Sequence, residues 1–118
     1  MNKPRILVAE DTDSNFTLVS ILLRKEYMIF RAMNGEEAVK LHHELHPDLI
    51  LMDIQMPVLN GLDATKMIRE CDPKIPIIAL TAFAFESDKQ AFMQVGGSMY
   101  MSKPIDPDEL KRLVKENI

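Results

Sequence analysis

Five short apolar runs alternate with five stretches of helical period along this chain, and few architectures accommodate that rhythm. The runs lie at 5–9, 27–32, 48–52, 75–80 and 98–101. Three stretches, 6–9, 49–52 and 77–80, are continuously apolar, as parallel strands covered on both faces are. The run at 27–32 contains Arg31 and reads as an edge strand. Between the runs, apolar residues recur three and four apart. Phe16, Val19 and Leu23 mark a first helix, Ala38, Leu41 and Leu45 a second, and Ala64, Met67 and Ile68 a third. Phe85, Phe92 and Val95 mark a fourth, and Leu110, Leu113 and Val114 a fifth.

The expected helix ends agree with this division. Asp106-Pro107-Asp108-Glu109 supplies an N-cap, a first-turn proline and an acid at N3. Asn34 with Glu37 forms a weaker box, Asp13 reads as a cap of the first helix, and Gly96-Gly97 closes the fourth. Strict βα alternation implies right-handed crossovers and a doubly wound α/β fold, a parallel sheet with helices on both faces. In 118 residues the five units leave no room for a second domain, so one domain over 1–118 is expected.

Composition narrows the function classes. Fourteen Lys plus Arg against 18 Asp plus Glu give a formal charge of −4, which argues against binding nucleic acid or anionic membrane through bulk charge. Cys71 stands alone, which removes internal disulfides and cysteine-rich zinc sites and suits a reducing compartment. No apolar run approaches the ~18 residues of a membrane span, and residues 1–4 pass straight into the first strand without a signal sequence. A cytoplasmic location is expected.

In a doubly wound sheet, chemistry gathers beyond the carboxyl ends of the strands. Glu10 and Asp11 follow the first strand and Asp53 ends the third. Thr81 follows the fourth, and Lys103-Pro104 the fifth. Three converging carboxylates repel one another unless a cation neutralises them, and an all-oxygen donor set favours Mg²⁺, with Mn²⁺ as a substitute. A lysine beside them completes a receptacle for a transferring phosphoryl group. Asp53 would be the nucleophile, forming an aspartyl phosphate.

On these residues the chain resembles the receiver domains of two-component response regulators, over essentially its whole length. The matching segments are 6–11, 47–57 (Pro47-Asp48-Leu49-Ile50-Leu51-Met52-Asp53-Ile54-Gln55-Met56-Pro57), Asn60-Gly61, Leu80-Thr81-Ala82 and Tyr100-Met101-Ser102-Lys103-Pro104. The stretch Asp53 to Pro57 especially resembles receivers attached to hybrid sensor histidine kinases. The resemblance implies a flavodoxin-like sheet of order 2-1-3-4-5 with five helices. It also implies a phosphorelay switch, not a turnover enzyme, that catalyses its own phosphorylation and dephosphorylation.

The implied roles follow residue by residue. Glu10, Asp11, Asp53 and the Gln55 backbone carbonyl would hold Mg²⁺, and Asp53 would accept the phosphoryl group. Lys103 would contact that group, before a cis bond to Pro104. Thr81 would bind a phosphoryl oxygen, and Tyr100 would swing inward as Thr81 moves. Gly61 would open the third helix. Gln55 and Phe83 would flank the approach of hydrolytic water, and the bulk of Phe83 is expected to shield Asp53. Partners would be a sensor kinase or a histidine phosphotransfer protein, with a phosphorylation-dependent dimer through the fourth helix, fifth strand and fifth helix. If the chain were excised from a hybrid sensor, it would be tethered to a membrane kinase.

Rival readings are weaker. An aspartate-nucleophile phosphatase would need a second Asp where Gln55 stands, and a flavodoxin would need a Ser/Thr-rich phosphate loop after the first strand. Complete presence of Glu10, Asp11, Asp53, Thr81 and Lys103 argues against a phosphorylation-silent interaction domain. His42 and His46, four apart, could pair on a metal, but a solvated helix surface is the expected role. His43-Glu44-Leu45 echoes a histidine-kinase motif that breaks at His46-Pro47.

Overall fold

The computed structural model describes residues 3–82 and 86–118. Strands β1 (Arg5–Ala9), β2 (Met28–Ala32), β3 (Leu49–Asp53), β4 (Ile77–Thr81) and β5 (Met99–Ser102) form one sheet. They alternate with helices α1 (Asp13–Leu23), α2 (Gly35–Leu45), α3 (Gly61–Cys71), α4 (Glu86–Gln94) and α5 (Pro107–Asn117). All four pairings are parallel and the order is β2-β1-β3-β4-β5, so Arg31 does lie on an edge strand.

The continuously apolar runs are explained by two cores, one on each face. Ile6, Val8, Leu49, Leu51, Ile78 and Leu80 point toward Val19 and Leu23 of α1 and Leu110, Leu113 and Val114 of α5. Their alternates Leu7, Ala9, Ile50, Met52, Ile77 and Ala79 meet Ala38 of α2, Ala64 and Ile68 of α3, and Phe92 of α4. Every second residue faces the opposite layer, so no position in these strands tolerates water. Burial of each such Leu or Ile side chain contributes about 1.5–3 kcal/mol.

Helix ends mostly follow their local chemistry. The Asn34 side chain accepts from the Glu37 N–H at 2.8 Å, and Asp106 accepts from the N–H groups of Asp108 and Glu109. Gly96 leaves α4 at φ 106, a conformation that disfavours any Cβ. Asp13 does not cap α1. The N-cap is Thr12, without a side-chain bond to the helix, and Asp13 is the first helical residue. Its carboxylate instead lies 2.9 Å from the Arg31 guanidinium, on an exposed side chain. Met67, expected in the core, is exposed on α3, whereas its neighbours Ala64 and Ile68 are buried. Phe85, expected at the start of α4, lies outside the described residues.

His42 corrects a further expectation, since it is 5% exposed. The inner face of α2 carries Ala38 and then His42, and the imidazole Nε2 reaches Asp72 Oδ2 at 3.1 Å beyond the end of α3. Burial works against the charge of Asp72, but His42 and the N–H groups of Lys74 and Ile75 outweigh it and hold the carboxyl below its ordinary range. His46 ends α2 in the left-handed conformation, at φ 47. Thus a partner thirty residues away gives an apparently surface histidine a buried polar role.

Candidate active site

The helices after β1 and β3 pack on opposite faces, α1 on one and α3 on the other, and this opens a crevice at the carboxyl edge between those two strands. Glu10 and Asp11 enter it from the end of β1, Asp53 from the end of β3, and Lys103 from beyond β5. Oxygen atoms of Glu10, Asp11 and Asp53 all lie within 4.8 Å of one another. Glu10 is fully buried, Asp53 is 5% exposed and Asp11 is half-buried.

A single ammonium holds this crowd together. Lys103 Nζ donates to Glu10 Oε1 at 2.8 Å and stands 3.4 Å from Asp53 Oδ2. Glu10 Oε2 accepts the Thr12 N–H at 3.3 Å, and Asp53 Oδ1 accepts the Gln55 N–H at 3.1 Å. Burial, then the hydrogen bond and charge of Glu10, push the Asp53 carboxyl up to about 7, against the pull of Lys103 and the Gln55 N–H. Burial also disfavours the Lys103 cation, but Glu10 and Asp53 more than compensate and raise it. Asp53 therefore takes up a proton as the pH falls through neutrality. A divalent cation would relieve that repulsion. The donor set fits Mg²⁺ or Mn²⁺, being all oxygen, compact and open on the Asp11 side.

Thr81 is buried at the end of β4, and the Lys103 N–H donates to its carbonyl oxygen at 2.7 Å, which ties the two loops together. The Lys103–Pro104 bond is cis, as the resemblance implied. Tyr100 is 36% exposed on β5, pointing away from the core that takes Met101. Gly61 packs directly behind the site. A Cβ there would collide with the Asp53 carbonyl oxygen and stand 2.8 Å from Ile54 Cα, and the Gly61 N–H bonds the Ile54 carbonyl at 3.0 Å. Phe83 falls outside the described residues.

Sequence reasoning missed Arg31 as part of this neighbourhood. Its Nε donates to the Glu10 carbonyl at 3.1 Å, its Nη2 lies 2.9 Å from Asp13, and its guanidinium lies 4.6 Å from the centre of the Phe16 ring. Arg31 thus clamps the acidic loop 10–13 from both ends. A charge inside an otherwise apolar strand was the available signal. Its target depended on the register that sets Arg31 opposite Val8.

A doubly wound sheet with three carboxylates and a lysine at its switch point defines a class of phosphoryl- and cation-handling domains. The family description "Response regulator receiver domain" matches residues 6–115, and the chain belongs to that family. It is 42% identical to part of the hybrid signal transduction histidine kinase I of Dictyostelium discoideum, over 97% of this chain but 7% of that protein. It is 40% identical to the polar-differentiation response regulator DivK of Brucella anthropi, over 93% of this chain and 92% of that one.

Among solved structures, the receiver domain of the sensor histidine kinase PA1611 of Pseudomonas aeruginosa PAO1 superposes with a TM-score of 0.90 at 36% identity, covering 98% of this chain and 97% of that one. That structure has a magnesium ion coordinated in its active-site cleft. The Ssk1 receiver domain of Saccharomyces cerevisiae, solved with the histidine phosphotransfer protein Ypd1, also gives 0.90, at 32% identity and over 98% and 89% of the two chains. The chain is accordingly a receiver domain of two-component signalling, of the kind found in phosphorelays. Among the described residues no helix is long and apolar enough to cross a membrane.

Proposed function

We propose that this receiver takes a phosphoryl group from a phosphohistidine onto Asp53 and converts the event into a movement of Thr81 and Tyr100. The reading rests chiefly on Lys103 standing 2.8 Å from Glu10 and 3.4 Å from Asp53 in a buried acidic pocket. An Asp53 carboxylate oxygen attacks phosphorus while the bond to the partner's imidazole nitrogen breaks. That electron pair returns to the ring, and an acyl phosphate forms. Glu10, Asp11, Asp53 and the Gln55 carbonyl would hold Mg²⁺, which would offset the negative charge gathered around the transferring group. Lys103 leaves Glu10 for a phosphoryl oxygen, a charge-assisted contact worth about 1.5–3 kcal/mol. Thr81 donates its hydroxyl to another, drawing the loop after β4 inward, and Tyr100 follows. Water later attacks phosphorus as its bond to the Asp53 oxygen breaks, which restores the carboxylate and releases inorganic phosphate.

The donor is a kinase or a histidine phosphotransfer protein in the cytoplasm, and the face made by α4, β5 and α5 meets the output partner or a second copy. The reading is tested by phosphorylating the chain with a small phosphodonor and mapping the modified residue to Asp53.

Two results are expected. Asp53 must be ionised both to hold the cation and to attack. Since burial and Glu10 raise it to about 7, protons compete with Mg²⁺ below that pH. Calorimetric titration should show Mg²⁺ affinity about tenfold weaker at pH 6 than at pH 8. An affinity flat over that range would contradict the raised Asp53 carboxyl. Gly61→Ala should destabilise the fold by about 1–3 kcal/mol in urea melts, because backbone rather than a flexible side chain occupies the space. It should also slow phosphorylation, since Asp53 and Ile54 must shift to make room.

A further inference from the structure

The outward position of Tyr100 is held by a specific contact. The Lys89 ammonium, carried by α4, lies 4.7 Å from the centroid of the half-exposed ring. Behind the ring is a small cavity lined also by Ile54, Ala79, Thr81, Asp88, Lys89 and Phe92, with a volume of about 10 Å³. A space of that size barely admits one water, so the ring cannot enter until Thr81 and its neighbours move. Outward and inward positions are therefore discrete states, and the contact with Lys89 belongs to the outward one.

We propose that Lys89 is a positioning residue of the switch, setting its resting balance by holding the Tyr100 ring outward through its face. The inference rests on the reading of Tyr100 as the switch residue. A contact present in one state and lost in the other biases the balance by its own strength. A cation over an exposed aromatic face is worth about a two- to fivefold change in that equilibrium. Lys89 would thereby raise the phosphoryl occupancy needed for output without touching the phosphoryl group.

Labelling with 3-fluorotyrosine tests this, because the chain has two tyrosines and no tryptophan. Tyr27, buried beside the other core, is the internal reference, and Tyr100→Phe assigns the second resonance. Mg²⁺ with beryllofluoride mimics the phosphorylated state. In unloaded Lys89→Met the Tyr100 resonance should move part-way toward its loaded position. The beryllofluoride concentration for half-conversion should fall about two- to fivefold, while Lys89→Arg behaves as wild type. Equal effects of Met and Arg, or none from Met, would overturn the role of Lys89 alone. A wild-type Tyr100 resonance unmoved by loading would overturn the switch reading, and this proposal with it.

Discussion

Incubated with acetyl phosphate and Mg²⁺, the chain should gain about 80 Da in intact-mass spectra, and Asp53→Asn should gain nothing. The loss should be complete because an amide oxygen is a far weaker nucleophile than a carboxylate, and Glu10, the other carboxylate bonded to Lys103, is fully enclosed. An equal adduct on the variant would refute Asp53 as the acceptor.

The same substitution should strengthen the fold. The Asp53 carboxyl titrates at about 7 in the native protein, against about 4 in an unfolded chain. Its contribution to stability is thus fully present below pH ~4 and is lost as pH rises through ~7. Asparagine cannot ionise. At pH 8 without divalent cations, Asp53→Asn should be more stable by about 2–4 kcal/mol, the rise from about 4 to about 7 setting the upper figure, and should melt roughly 5–15 °C higher. The difference should vanish at low pH, where both side chains are neutral. Mg²⁺ should also narrow it by stabilising the wild type preferentially.

Lys103→Met should produce the second large effect. It leaves Glu10, fully buried, and Asp53 without their cation. Breaking a buried ion pair costs about 3–5 kcal/mol when the remaining charge persists, and less when it can take up a proton. Asp53, whose carboxyl is pushed up to about 7, can do so. A loss of about 2–3 kcal/mol at pH 8 is therefore expected, shrinking toward pH 5, where a protonated Asp53 no longer needs Lys103. Phosphorylation should slow by about 10²–10³, the usual consequence of removing one preorganised partner of a developing charge. The rate is read from the growth of the mass adduct. A variant as fast as wild type would remove Lys103 from the phosphoryl site and leave it only a structural role.

Much of the site was legible in the sequence because doubly wound folds place function where strands end. Glu10, Asp11, Asp53, Thr81 and Lys103 each stand at or just past the end of an apolar run, and the structure sets them along one edge. Arg31, Lys89 and His42 have no such position to mark them. Arg31 was visible as an anomaly in a strand, yet its clamp on Glu10 and Asp13 depends on how β2 aligns with β1. His42 read as surface because four-residue spacing reports a helix face without saying what covers it. Asp72, from the end of α3, covers it. Asp13 has the chemistry of a cap, but the helix already begins at Asp13 with Thr12 in the capping position, and its carboxylate faces Arg31.

The sequence by itself determined the alternation of strands and helices, the two-faced burial of the central strands, and the identity of the residues at the carboxyl edge. These depend on periodicity and chain order, which are local properties. The tertiary structure decided which cation neutralises which acid, how close Glu10 comes to Asp53, and where Tyr100 rests. Those depend on register and helix packing across tens of residues. A displacement of one residue or a few ångströms there reverses an electrostatic interaction while leaving every local pattern intact.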